Sequence, residues 1–283
     1  MKALDLDAVQ AFVLVAELKS FTRAAEVLDT TQSAISLKIK RLEEALGRRL
    51  FERTPRVVRL SADGGHFLEP ARALSAAHRQ AWGAFTAERR RLVVGISHHI
   101  VGADLSHLIR RMGALEPQVV LELRISTSLD MLDQFDAGQL DAAFVLRHDN
   151  RRQDGEVAFR QEFGWMATPD FEHPPGEPLR LATQPGTCGV RAMVVGALER
   201  AGIAWTEVFV GGGFATLGAA VSSGLAVAAL ARRVVPPGAV DVGARLGLPE
   251  LPGRDVVVHS RAQDGMGQGA LRSFSAILRT ARS

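Results

Sequence analysis

The sequence predicts a small helical module closed by a β-hairpin, then one long helix, then an α/β body of two lobes. Three observations predict it. Up to Leu46 apolar residues recur at helical spacing, and two short β-rich runs follow between Leu50 and Leu60. An apolar stripe then runs at helical spacing from Phe67 to Phe85. From Leu92 onward, short apolar runs alternate with amphipathic stretches, the pattern of parallel sheets covered by helices on both faces. The 283 residues suffice for two or three domains.

The first helix is read from Leu6, Val9, Phe12, Val13 and Ala16. Ser20 opens a second helix as its N-cap, since a serine hydroxyl accepts from a free backbone N–H; that helix runs from Phe21 to about Leu28. Asp29-Thr30-Thr31 breaks it. Thr31 caps a third helix from Gln32 to about Leu46, which Gly47 ends. Two strands around the basic turn Thr54-Pro55-Arg56 make a wing, so residues 1–60 form an all-α winged helix-turn-helix. Ser61-Ala62-Asp63-Gly64 starts a linker helix reaching about Arg89, with Phe67, Leu68, Ala71, Leu74, Ala77, Ala81 and Phe85 in one stripe. Nothing local covers so long an apolar face, so self-association along residues 61–90 is expected in preference to burial against its own domain.

The body, 91–283, begins with strand Leu92–Ser97. Then come a helix through Leu105, Leu108, Ile109 and Met112, strand Val119–Ile125, helix Ser128–Ala137 and strand Leu140–Leu146. Glu156–Thr168 reads as extended. A second alternating series runs from strand Leu179–Thr183 to strand Leu225–Leu230. Pro236–Gly253 reads as irregular, strand Asp255–His259 follows, and helix Ala270–Arg279 is the last element. The lobes are placed at about 91–162 with 255–283, and about 163–254.

Charge is uneven. Residues 1–60 hold 11 basic and 8 acidic side chains, 61–91 hold 5 and 3, and 92–283 hold 18 and 20. A basic front end ahead of a near-neutral body suits a polyanion partner. No apolar run reaches the ~18 residues of a membrane span. The early acids Asp5 and Asp7 do not suit a signal peptide, so a cytoplasmic location is expected. Cys188 is the only cysteine, which excludes a disulfide within the chain. Near a helix start its thiol pKa would fall; packing is the plainer role.

The front third resembles the LysR-type transcriptional regulators. The run Ser20-Phe21-Thr22-Arg23-Ala24-Ala25-Glu26-Val27-Leu28 carries the likeness, with Thr31-Gln32-Ser33-Ala34-Ile35-Ser36, Ile39-Lys40-Arg41-Leu42-Glu43, Leu46-Gly47, Leu50-Phe51-Glu52-Arg53 and Arg59-Leu60-Ser61. Looser matches follow at Leu92–Ser97, Gly138–Ala143 and Gly224–Ala228. The resemblance implies a periplasmic-binding-protein-like effector domain, a small-molecule effector between its lobes, and a homodimer on the linker helix, often paired into a homotetramer.

At 100° per residue, Ile35, Ile39, Leu42 and Leu46 share one face of the third helix and must pack inward. Ser33, Leu37 and Lys40, flanked by Ser36 and Arg41, face the other way and are free to enter a major groove. Gln32 at the helix start can bind an adenine edge and Ser36 can donate or accept. Lys40 and Arg41 suit phosphates, as does Thr22, which could equally be a cap. Leu37 departs from the polar residue the family often has and can touch a thymine methyl. Arg53 and Arg56 flank the wing tip and suit the backbone or minor groove. Thr31 completes the expected DNA-binding set.

Effector contacts are expected where strands end and helices begin. They are Ser97, His98 and His99 after the first strand, Ser126, Thr127 and Ser128 after the second, and Arg147 with His148 after the third. Thr187 in Gln184-Pro185-Gly186-Thr187, and Gly213 and Phe214, face them from the second lobe. Hydroxyls and backbone N–H groups there suit a carboxylate, although Ser126 and Ser128 equally suit capping. No metal is expected, because adjacent histidines on a loop diverge and no paired cysteine or acidic cluster accompanies them. No cofactor is expected. An enzyme would need a Gly-rich phosphate loop, a nucleophile elbow or a His-Glu-x-x-His site, and the sequence has none. The competing reading is a small-molecule receptor or enzyme whose basic front module binds nucleic acid non-specifically.

Overall fold

The computed structural model describes residues 3–54, 57–83, 90–102, 104–147, 152, 154–185, 188–262 and 264–280, with backbone alone at 53, 54, 57, 76, 79, 80, 82 and 83. It divides into two units, Met1–Arg91 with Leu108–Val120 and Gln263–Thr280, and Leu92–His107 with Leu121–Ala262 and Ala281–Ser283.

In the first unit, α1 (Leu6–Leu18), α2 (Phe21–Val27) and α3 (Gln32–Leu46) are each started by a side-chain cap. Asp5 accepts from Asp7 N, Ser20 from Arg23 N and Thr31 from Ala34 N, which satisfies donors a helix start leaves free. Gly47, at φ +66°, closes α3 through backbone bonds to Glu43 and Glu44. The wing pairs β1 (Phe51–Thr54) with β2 (Val57–Leu60) antiparallel, Phe51 opposite Leu60. Glu43 Oε1 accepts from Leu50 N (2.7 Å) and Phe51 N (3.2 Å), which ties α3 to the wing. The core stacks Phe12 on Phe51 and on Phe67, each pair of ring centroids 5.3 Å apart, with Phe21 5.6 Å from Phe51.

The linker helix α4 (Ala62–Gly83) begins with Gly64 N on Ser61 Oγ at 2.9 Å. Pro70 sits inside it, where it cannot donate to the carbonyl one turn back. The expected stripe divides in two. Ala71 is fully buried and Phe67 half-buried against Phe12, whereas Leu74, Ala77 and Ala81 are exposed. Burial against its own domain therefore accounts for the first half of the stripe, and Phe85 lies outside the described residues.

Two further helices join this unit. They are the C-terminal part of α5 (Leu105–Leu115) and α9 (Gly265–Thr280). Glu17 on α1 meets Arg72 of α4 and, at 3.6 Å, Arg111 of α5. Arg279 of α9 bonds Glu26 at 2.7 Å. Burial, then the charges of Arg72 and Arg23, push the Arg111 guanidinium down to about 10, still cationic at neutral pH.

The body holds two strand systems. Lobe I is a five-stranded sheet in the order β4 (Val119–Ser126), β3 (Arg90–Ser97), β5 (Ala142–Leu146), β12 (Arg254–Ser260), β6 (Glu156–Gln161). Strands β3 and β5 are parallel, as the alternation predicts, but β12 runs antiparallel to both β5 and β6, so the sheet is mixed. No crossover helix joins β5 to β12, so nothing forces a common direction. Helix α6 (Ser128–Asp136) packs Met131 and Phe135 on Ala143 and Val145.

In lobe II, β8 (Leu179–Thr183) pairs in parallel with β9 (Trp205–Val210). A second sheet orders β10 (Ala228–Ala231), β7 (Phe163–Ala167) and β11 (Val240–Asp241), with β7 antiparallel to both neighbours. Bonds of 2.9 Å between Ala182 N and Val227 O, and between Val227 N and Arg180 O, link the two sheets. Strand β11 is a short pairing within the Pro/Gly-rich stretch that reads as irregular in the sequence. Helices α7 (Gly189–Arg200) and α8 (Phe214–Ser222) complete the lobe, and Leu217, Ala220 and Val221 of α8 fill its core.

Candidate nucleic-acid interface and effector cavity

Helix α3 separates two faces. Ile35, Ile39 and Leu42 are buried and Leu46 is half-buried. Thr31, Gln32, Ser33, Leu37, Lys40 and Arg41 are exposed, with Leu37 at 48%, and Ser36 is half-buried at their edge. Lys38 turns aside to Asp7 at 2.9 Å, and Lys40 lies 3.7 Å from Glu44. Thr31 Oγ1 is engaged as the cap of α3 and bonds Ser33 Oγ at 2.9 Å. Thr22 is not a cap: Ser20 holds that place, and Thr22 stands exposed in the first turn of α2. Arg53 is placed on β1 by its backbone, and Arg56 lies outside the described residues. An exposed polar helix face with one large apolar side chain, cations toward its C-terminal half and a helix start at its head can meet base edges and phosphates together.

Of the candidate effector residues, His99 lines one cavity in the body, and Ser128 and Arg147 line another. The first, about 310 Å³ counted to its open mouth, is lined by His99, Thr183, Gln184, Cys188, Arg191 and the apolar side chains of Leu181, Val190, Val194 and Leu217. His98 and His99 follow β3, and Gln184 and Cys188 lie between β8 and α7, so both lobes contribute. His98 Nε2 bonds Gln184 Oε1, His99 Nε2 lies 3.2 Å from Cys188 Sγ, and Cys188 Sγ donates to Gln184 Oε1 at 3.1 Å. Adjacent histidines do not diverge here: their ring centroids are 4.3 Å apart. Burial holds the His98 imidazole below its ordinary value. It also raises the Cys188 thiol, outweighing the N–H groups of Val190 and Arg191, so the expected lowering at a helix start does not occur. Phe214 stands against Gly102, and Gly213, at φ +101°, starts α8. Ser97 is fully buried, its hydroxyl without a partner among the described residues. Thr187 lies outside the described residues, as does His148.

Ser126, Thr127 and Ser128 do not reach that cavity. Thr127 caps α6 by accepting from Asp130 N at 3.1 Å, Ser126 Oγ donates to Asp130 at 2.5 Å, and buried Ser128 Oγ accepts from Leu146 N at 3.1 Å. Ser128 and Arg147 instead line a second cavity of about 480 Å³ with Leu129, Leu132, Val257, Arg152, Asp154 and His259. Arg152 grips Asp136 through two nitrogens (2.7 and 3.1 Å) and Asp154 through Nε (2.8 Å). It holds the Asp154 carboxyl below its ordinary value. Burial, then Arg152, lowers the His259 imidazole, which sits 3.4 Å from Asp154. Sequence reasoning named Gln184 only within the segment Gln184–Thr187, and did not single out Arg191, Arg152, Asp154 or His259. Only Gln184, at a strand end, carried a positional signal.

Two family profiles match the chain. One, described as a bacterial regulatory helix-turn-helix protein of the lysR family, matches residues 6–65; the other, the LysR substrate binding domain, matches residues 86–283. The HTH-type transcriptional regulator PecT of Dickeya dadantii is 29% identical over 252 residues, 88% of this chain and 79% of its own length. The regulator DgdR of Burkholderia cepacia is 28% identical, covering 89% of this chain and 86% of its own. Among solved structures, full-length HypT from Salmonella typhimurium, a hypochlorite-specific LysR-type transcriptional regulator, overlays with TM-score 0.51 at 16% identity, covering 98% of this chain and 99% of that one. Among the described residues no helix is long and apolar enough to cross a membrane.

Proposed function

The chain belongs to the LysR family of bacterial transcriptional regulators, and from that premise we propose that α3 reads an operator while a small molecule held between the body's lobes sets the output. The protein is a DNA-binding transcriptional regulator with an effector-binding domain, not an enzyme. The observation that carries the DNA reading is the exposed row Gln32, Ser33, Leu37, Lys40 and Arg41, opposite the buried Ile35, Ile39 and Leu42.

Gln32 and Ser36 read base edges, and Leu37 packs on a thymine methyl. Thr22, Thr31, Ser33, Lys40, Arg41, Arg53 and Arg56 position the protein on the backbone. Residues 61–90 form the dimer contact through Leu74, Ala77 and Ala81, so that two α3 helices meet an interrupted, roughly two-fold site; two dimers pair into a tetramer. The effector enters the cavity at His99, Gln184 and Cys188, and its binding shifts the population of body conformations, changing the spacing or bend of the DNA.

Fluorescence anisotropy with a pool of genomic fragments, from low to moderate salt, tests this reading. Selection of a few fragments at nanomolar concentration, relaxed by Gln32→Ala and Ser36→Ala, supports it. Weak binding that vanishes with modest salt and ignores both substitutions rejects it.

A further inference from the structure

The chain's single cysteine sits at the N-cap of α7 in lobe II, and two consecutive histidines from lobe I turn toward it. Consecutive residues on an extended loop send their side chains apart, but the chain turns at this point. Ile100 N bonds Ser97 O at 2.9 Å, and His98 N is pinned to Ser126 O at 3.0 Å. The two imidazoles are thereby brought side by side, their planes tilted by 58°, and both present Nε2 to the same place. The donor atoms of His98, His99 and Cys188 all lie within 4.8 Å of one another, and the three residues are 5–7% exposed. Gln184 Oε1 lies 3.1 Å from the sulfur and completes the ring of donors.

We propose that His98, His99 and Cys188 bind one thiophilic d10 metal ion, Cu+ in preference to Zn2+, with Gln184 at its flank. Metal–nitrogen and metal–sulfur bonds of about 2.0 and 2.3 Å place neighbouring donors roughly 3.5 Å apart, so small side-chain rotations close the set around an ion. A thiolate with two imidazoles selects soft and borderline cations. Among the described residues the donor cluster holds no carboxylate. One thiolate therefore neutralises Cu+ completely but leaves Zn2+ with a net positive charge in a buried place, which costs free energy. Binding forms two Cu–N bonds and one Cu–S bond, and the thiol proton leaves to solvent. The metal enters as Cu+, so no electron is transferred.

The histidines come from lobe I and the cysteine from lobe II, so the ion clamps one lobe to the other. Its role as the effector rests on the regulator reading; its binding does not.

The test uses the purified full chain, kept reduced, competing for Cu+ against bicinchoninate, with X-ray absorption on the loaded protein. One Cu+ per chain, with one sulfur and two nitrogens around it, is expected. Cys188→Ser and His99→Ala should each weaken binding by more than the roughly 100-fold that loss of an outer partner costs, while His66→Ala, on the exposed surface of α4, leaves it unchanged. Melting curves identify a variant that has failed to fold, and the absorption spectrum of the parent needs no variant. No stoichiometric Cu+, a shell without sulfur, a folded Cys188→Ser that keeps its affinity, or Zn2+ displacing Cu+ overturns the proposal. Operator binding is measured in parallel by anisotropy. Selection of an operator without Cu+ binding rejects the metal site alone, and Cu+ binding without operator selection rejects the regulator reading alone.

Discussion

Gln32 and Lys40 stand two turns apart on one exposed face, and their losses should differ in kind. A bidentate amide on an adenine edge discriminates by about 1–3 kcal/mol, so Gln32→Ala should cost roughly tenfold or more at the operator and little on unrelated DNA. Lys40→Ala should weaken all sequences alike and reduce the salt slope by about one. Glu44, 3.7 Å away, already draws on Lys40 and will blunt the loss. Anisotropy titrations across salt, on operator and random duplexes, separate the two. Leu37 is the residue whose chemistry was hardest to place from sequence, since helical spacing gives its face but not what it touches.

At the scale of elements, α3 is set by its ends. Thr31→Ala removes the cap bond to Ala34 N and should cost about 1 kcal/mol. At Gly47 a Cβ meets no neighbouring atom, so the roughly 1 kcal/mol expected for Gly47→Ala comes from the left-handed backbone alone. Urea unfolding followed by circular dichroism reads both. On α4 the exposed half of the stripe, Leu74 with Ala77 and Ala81, makes a distinct prediction. Leu74→Glu should weaken self-association, seen as a shift toward monomer in sedimentation at micromolar concentration, without unfolding the front module, because the buried half at Phe67 and Ala71 is untouched.

For the whole molecule, stability should follow two buried histidines. His98 faces Gln184, Ser126 O and Asp130, and His259 faces Arg152, Asp154 and Asp136; burial holds both below the ordinary 6.5. The unfolded chain therefore takes up protons at a higher pH than the folded one. Their contribution is fully present above about 6.5 and is lost as pH falls through the folded values. The urea midpoint should be flat from pH 7.5 to 6.5 and fall below that, and His98→Gln should flatten the fall. A midpoint that rises on acidification over this range would contradict the assignment. Separately, Glu17→Ala should cost about 3 kcal/mol, because it takes from the buried Arg111 guanidinium the carboxylate 3.6 Å away.

Local rules acting within a few residues made much of the protein legible in the sequence. Ser20, Thr31 and Gly47 mark helix ends because capping is a contact between near neighbours. The buried and exposed faces of α3 follow from 3.6-residue periodicity alone. The family was written in 29 residues between Ser20 and Ser61. What tertiary structure decided involves partners far apart in the chain. Strand β12 enters the lobe I sheet antiparallel because it arrives from the other lobe, a matter no alternation records. Helix α9 joins α2 through Arg279 and Glu26, residues with nothing in their local pattern to announce each other. Ser126, Thr127 and Ser128 satisfy backbone and helix needs within lobe I, whereas His98 and His99 are turned together onto Cys188, 89 residues beyond His99. Periodicity and capping are short-range and survive in a one-dimensional string; convergence of side chains on a common point is set by how distant strands close, and only the folded chain holds it.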